Sequence, residues 1–288
     1  MGVPVSNGKL AVWLFLVTEI MFFTGLIGTY IVLRNGTPTK ADPWPTPHQV
    51  HLQEWIGALN TFVLICSSLT VVLAHAAIGR GDVRRAVTFL AVTLPLGGVF
   101  LGIKAYEYQQ KFSHQILPGH VFDFPLHGPA QSDPRQEGTQ GVAYLGTIKN
   151  ELEHLTEHPV EAGPVADGCR QLLADLESKP GQRGLSPEEA GRRVNALIKE
   201  AEESGHELHL TPVIPFGNLW ASCYFAMTGF HALHVLGGIV VFSLILVMGL
   251  MKKLGPQSIP MLEYTGLYWH FVDIVWIFLF PLLYLVRV

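Results

Sequence analysis

Leu219 to Met251 reads LWASCYFAMTGFHALHVLGGIVVFSLILVMGLM, an apolar run of about 33 residues. A bilayer's hydrocarbon core needs about 20 residues of helix to cross it. At about 1.5 Å per residue this run is near 50 Å long, so it tilts or projects beyond the bilayer. Four more windows pass the same length test: Leu10–Leu33, Trp55–Ile78, Ala86–Tyr106 and Leu262–Val286. Backbone exposed to lipid must satisfy its own hydrogen bonds, which makes each window a helix. The 288 residues are 49% hydrophobic and only 15% charged, against roughly 25% charged in an average soluble domain. The fold expected is all-α: an integral membrane bundle of five transmembrane helices, with a mainly helical extramembrane insertion between helices 3 and 4.

Charge separates the chain into two kinds of sequence. Residues 111–212 hold 16 Asp and Glu against 9 Lys and Arg, net −7, while the remainder is net +3. The expected organisation is residues 1–110 for helices 1–3, 111–212 for the insertion, and 213–288 for helices 4 and 5. About 100 residues is far beyond an ordinary connection, so the insertion is a domain or disordered. Ser186-Pro187-Glu188-Glu189 is a capping box with Pro at the first helical position. Apolar Val194, Ala196, Leu197, Ile198 and Ala201 follow it, and Gly205 ends the run. Tyr144–Leu155 and Cys169–Leu176 are read as two shorter helices, and Gly119–Gly141 and Pro159–Pro164 as loops. Cys66, Cys169 and Cys223 are too few and too scattered for a disulfide framework or a cysteine metal site. Met1–Lys9 leads into a run too long for a signal-peptide core, so it is expected to be retained as an anchor.

Short loops set orientation through their Lys and Arg content. With the N-terminus inside, Lys9, Arg80, Arg84, Arg85, Lys252 and Lys253 flank the inner ends, against Arg34, Lys40 and Arg287 outside. The N-terminus is therefore expected in the cytoplasm, and the insertion and C-terminus on the outer face, which in a bacterial inner membrane is the periplasm.

Glu19 lies about 14 Å into the first window, with no other charge between Leu10 and Leu33. Such a carboxyl is costly in hydrocarbon and is a functional candidate. Asp273 and His270 lie about 16 Å and 12 Å into the fifth window, so the three share a depth. If the helices touch, a carboxyl is protonated or shares a proton, because its ionised form has little water. For Asp273 and His270 the favoured alternative is a structural network that ties helices together. His231 and His234, three residues apart, project from one face. Beside Gly237 and Gly238 they suit interhelical hydrogen bonds better than haem or metal ligation. His75 is expected at the interface, and His154, His158, His206 and His209 as surface histidines rather than a zinc site.

Glu19-Ile20-Met21-Phe22-Phe23, Leu59-Asn60-Thr61 with Ala74-His75, Glu107-Tyr108, Thr228-Gly229-Phe230-His231-Ala232-Leu233-His234-Val235, and Tyr268-Trp269-His270-Phe271-Val272-Asp273 with Val275-Trp276 occur in that order. Together they resemble subunit III of the haem-copper (cytochrome c) oxidases in its five-helix bacterial type. The resemblance spans all five windows. It implies an accessory subunit that carries no haem or copper, since those sit in partner subunits. It also implies packing against catalytic subunit I, with subunit II nearby, bound phospholipid, and support for proton uptake. Glu19 matches the family's carbodiimide-reactive carboxyl. Glu107, Tyr268 and Trp269 join His75, His231, His234, His270 and Asp273 as expected members of an interhelical polar network or of lipid contacts. The resemblance also implies that the two leading helices of many members are missing here, and with them one wall of the lipid cleft. The insertion departs from the family, and no family role carries over to it.

Other readings fare less well. The same subunit of a quinol oxidase or a nitric-oxide-reductase-associated homologue differs only in electron donor. A proton-coupled transporter would need broken helices in matching halves, which the five dissimilar windows lack. The insertion's −7 charge also fits a docking surface for a basic cytochrome c, through long-range steering. Membrane lipids are expected partners and nucleic acid is not.

Overall fold

The computed structural model describes residues 6–36, 44–113, 116–118, 121, 134–157, 163–177, 185–205, 208 and 210–286, with backbone alone at 134–141 and 202. Every regular element among them is helical. The order is α1 (Asn7–Gly36), α2 (Glu54–Gly79), α3 (Val83–Ser113), α4 (Pro134–Glu157), α5 (Pro164–Leu176), α6 (Pro187–Glu203), α7 (Gly217–Leu250), a short 3-10 turn (Pro256–Ser258), α8 (Ile259–Phe280) and a π turn (Pro281–Leu285). Helices α1, α2, α3, α7 and α8 are long and apolar enough to span a membrane. The chain forms two compact units, Met1–Ile116 with Trp220–Val288, and Leu117–Leu219.

In the membrane unit, α2 packs along both α3 and α8, and α1 lies against α8. Both ends of the α1–α8 contact are fastened. Lys9 Nζ is 2.6 Å from Glu263 Oε1, and the Ser6 and Tyr264 hydroxyls are 2.9 Å apart. At the other end Arg34 donates to the Val286 and Leu282 carbonyls at 2.6 and 3.4 Å. A helix's last carbonyls lack intrahelical donors, and a cation there also complements the helix dipole. Residues 6–9 thus meet 263–264 and residue 34 meets 282–286, so α1 and α8 run parallel. Close packing elsewhere depends on glycine. A Cβ on Gly238 would stand 2.5 Å from the Trp269 ring, and one on Gly97 3.1 Å from both Ile239 and Trp269.

Helix α3 runs well past its apolar window, which closes at Tyr106. Lys104, Glu107 and Lys111 recur at one-turn spacing and are all buried, so charge marks the inward face here rather than the helix end. Lys40 and Arg287, used in the orientation count, lie outside the described residues.

The second unit has its own core of Tyr144, Ile148, Leu152, Val165, Cys169, Leu172, Val194, Leu197 and Ala201, from α4, α5 and α6. Ser186 caps α6, accepting from the Glu189 N–H at 3.2 Å, and Gly205 follows the helix at φ 76°. Two expectations need correcting. Helix α4 begins at Pro134, inside the stretch read as loop, because its polar first turns show no apolar period. Helix α5 begins at Pro164 rather than Cys169, with Val165 and Ala166 already facing the core. The rest of the two predicted loops lies largely outside the described residues.

Candidate functional site

Two polar groups lie inside the membrane unit, one half-buried and one fully buried. The first joins α1 to α7. Glu19 Oε2 is 3.0 Å from His234 Nε2, with side chains 21% and 16% exposed. The other ring nitrogen, His234 Nδ1, is 2.7 Å from the Phe230 carbonyl. A carbonyl only accepts, so Nδ1 carries the hydrogen. One proton must therefore lie between Nε2 and Oε2, either on a carboxylic acid donating to imidazole or on an imidazolium donating to carboxylate. Phe23 packs edge-on to His234 at 5.3 Å, and the Tyr268 hydroxyl donates to the His234 carbonyl at 2.9 Å.

Sequence depth placed Glu19 level with His270 and Asp273. The ring pairs Phe15–Tyr268 and Phe23–Phe271 bracket that level, yet Glu19's partner is on α7. His270 instead turns to α2, with Nδ1 2.6 Å from the Ser68 hydroxyl. Asp273 is 4% exposed, and its carboxyl lies near the Ser68 hydroxyl without closing a hydrogen bond of ordinary geometry. Trp269 donates to Ser67 at 3.0 Å. His231 does not share His234's surroundings. It is 1% exposed, stacked on Trp276 at 5.1 Å and edge-on to Phe100 at 5.5 Å. His75 is half-buried near the end of α2 and joins neither group.

The second group includes a residue that the sequence reading missed, Lys104. Its Nζ is 3.0 Å from Glu107 Oε1, 3.2 Å from the Tyr224 hydroxyl and 3.0 Å from the Tyr284 hydroxyl. An ammonium has three protons and no acceptor, so all three are placed. Tyr284 donates to the Glu107 carboxylate, its hydroxyl 2.6 and 2.7 Å from the two oxygens, and Tyr224 donates to Oε1. Each tyrosine thus accepts from Lys104 and donates to Glu107. The network is closed, and it ties α3 to α7 and to the π turn. The ammonium also sits 4.9 Å from the Trp276 ring centroid, a cation–π distance. One turn beyond Glu107, buried Lys111 donates to the Val50 carbonyl and lies over Trp220 and Tyr224. The signal available in sequence was Lys104 and Glu107, i and i+3, at the edge of an apolar window.

No group of three or more His, Cys, Asp or Glu side chains able to hold a metal ion occurs among the described residues. His158, His206 and His209 lie outside them, and His154 stands on α4.

Five apolar helices with these polar groups between them define a multi-pass membrane protein. The sequence model of cytochrome c oxidase subunit III matches residues 3–120 and 209–287, more than half of the chain. The chain belongs to the cytochrome c oxidase subunit III family, and as such is part of the oxidase complex without carrying its redox metal centres. A probable cytochrome c oxidase subunit 3 of Mycobacterium tuberculosis is 44% identical over 283 residues, covering 98% of this chain and 88% of that one. A probable counterpart in Nocardia farcinica is 43% identical over 286 residues, with the same coverage. Cytochrome c oxidase subunit 3 of Thermostichus vulcanus is 24% identical over 282 residues, covering 96% and 86%. The family match leaves out residues 121–208, most of the second unit.

Proposed function

We propose that this chain is a non-catalytic accessory subunit of a proton-pumping cytochrome c oxidase in aerobic respiration. It stabilises the catalytic subunit and supports proton uptake. Haem and copper reside in partner subunits, and phospholipid fills part of the remaining contact. The N-terminus is cytoplasmic, and the insertion and C-terminus are periplasmic in a bacterial inner membrane. The observation that carries this reading is α1, of whose most apolar stretch only 11% is buried, against 50% for the last span. Its outward face, with Trp13, Met21 and Val32, is covered by lipid or by a neighbouring subunit. At Gly25 and Gly28 of α1, and at Gly98 of α3, an added Cβ would meet nothing within 4 Å in this chain, which leaves room for close approach by a neighbour. Glu19, His234, the Lys104–Glu107 network, His270, Asp273, Tyr268 and Trp269 act as the polar joints between spans, and Glu19 as the proton-exchanging member.

The test is to purify the complex through a tag on this chain, record its reduced-minus-oxidised haem spectrum, and assay oxygen uptake with cytochrome c and with quinol. Haem–copper absorbance with cytochrome c activity is expected. Activity with quinol alone would make the complex a quinol oxidase, and a haem-free preparation would sink the proposal.

A further inference from the structure

Among the described residues, the buried side-chain atoms without a protein hydrogen bond are Asn60 Oδ1, both ring nitrogens of His231, and both carboxyl oxygens of Asp273. Such exceptions are few in native proteins, and each one calls for an explanation. Two of the three residues surround one pair of rings. Phe100 and Trp276 pack edge to face at 5.0 Å. His231 touches both rings. Asn60 donates its amide to the Phe100 carbonyl at 3.5 Å, and the next residue, Thr61, accepts the Trp276 Nε1–H at 2.9 Å.

The protein donors near this spot are already committed. Trp276 gives its only N–H to Thr61, and Thr61 gives its hydroxyl hydrogen to the Gly57 carbonyl at 2.8 Å. Lys104, across the Trp276 ring, has its three protons on Glu107, Tyr224 and Tyr284. Asn60 Oδ1 needs a donor, and a neutral imidazole needs one acceptor and one donor. Water supplies both, and internal water is held where two to four polar groups converge.

The geometry points to an internal water site at the Phe100–Trp276 pair, where bound water accepts from or donates to the His231 ring and donates to Asn60 Oδ1. His231 is one helical turn from His234 and shares the Trp276 ring with Lys104. The water therefore stands across the Trp276 ring from the Lys104–Glu107 network and gives His231 and Asn60 a partner that neither that network nor the Glu19–His234 pair supplies.

Two measurements on the intact oxidase complex test this. In a map fine enough to show ordered water elsewhere between these helices, density is expected within about 3.2 Å of a His231 ring nitrogen and of Asn60 Oδ1. A dry site, with those atoms against protein groups, overturns the proposal. The second is a cycle of His231→Phe, Asn60→Leu and the double substitution, read as the half-life of this chain on the complex in detergent. Each single change strands the water's other partner and should shorten the half-life about tenfold, equivalent to about 1.4 kcal/mol. The double change removes both needs and should shorten it by far less than the product. Effects that simply multiply would show that no water couples the two side chains.

Discussion

Lys104→Met keeps most of the side chain's volume while deleting its charge. The Lys104 and Glu107 side chains are 3% and 9% exposed, so the substitution leaves a carboxylate in the bundle with two tyrosine hydroxyls and no directly paired cation, since Lys111, one turn beyond Glu107, is held by the Val50 carbonyl. Removing one partner of a buried pair costs about 3–5 kcal/mol, whereas replacing both by apolar groups is often neutral or better. The expected sequence is thus a severe single variant and a rescued double variant, Lys104→Met with Glu107→Leu. In the double variant Tyr224 and Tyr284 lose an ionic partner but keep each other within reach. The assay is thermal release of this chain from the purified complex, with Lys149→Met on the insertion as control. Lys149 sits 3.5 Å from Glu153 with both side chains over 40% exposed, and an exposed pair of this kind is worth about 0.3–0.5 kcal/mol. If Lys104→Met shifts release no more than Lys149→Met does, the closed network is not what holds α3, α7 and the π turn together.

Glu19→Gln should leave the complex assembled, since its amide can donate to His234 Nε2. Glu19→Leu strands that nitrogen at about 1–3 kcal/mol, seen as lost chain retention; equal behaviour would rule out the shared-proton bond. Gly238→Ala drives a methyl into Trp269 and should cost about 1–3 kcal/mol. Gly98→Ala, in open space, should be silent in the isolated chain, and comparing the two melts decides it. Burial raises the Cys169 thiol above its ordinary range, so less thiolate is present at pH 8 and alkylation there should be far slower in the native protein than in urea. Equal rates would mean the insertion lacks its core. Deleting residues 120–205 should raise the KM for cytochrome c and flatten its salt dependence if the acidic unit steers the donor; an unchanged KM removes that role.

All five spans could be read from length and apolarity alone, and Glu19 stood out because it interrupts such a run. Partners were harder. Depth along a helix fixes height but not direction, so Glu19 was set level with His270 and Asp273, while its hydrogen bond runs to His234 on α7. His231 and His234 share a face by spacing, yet the 60° between them is enough to send one to Trp276 and the other to α1. Lys104 and Lys111 were hidden for a different reason. Lys104 stands two residues before its window closes and Lys111 five beyond, where a charge ordinarily faces the membrane surface, yet α3 turns both inward. Helix α4's first turns carry no apolar period, so only the backbone shows them.

The parallel α1–α8 contact also orders events in time. Glu19 and His234 are 215 residues apart in sequence, and at about 5–20 residues per second the carboxyl is made roughly 10–40 s before its imidazole. The first span then waits in the bilayer for Glu263 and the Val286 carbonyl, which close its two ends only as synthesis of the last span finishes. During that interval an unpaired acid sits in lipid on a helix with almost nothing packed around it. An insertion factor that shelters polar groups would find a long task here, on α1.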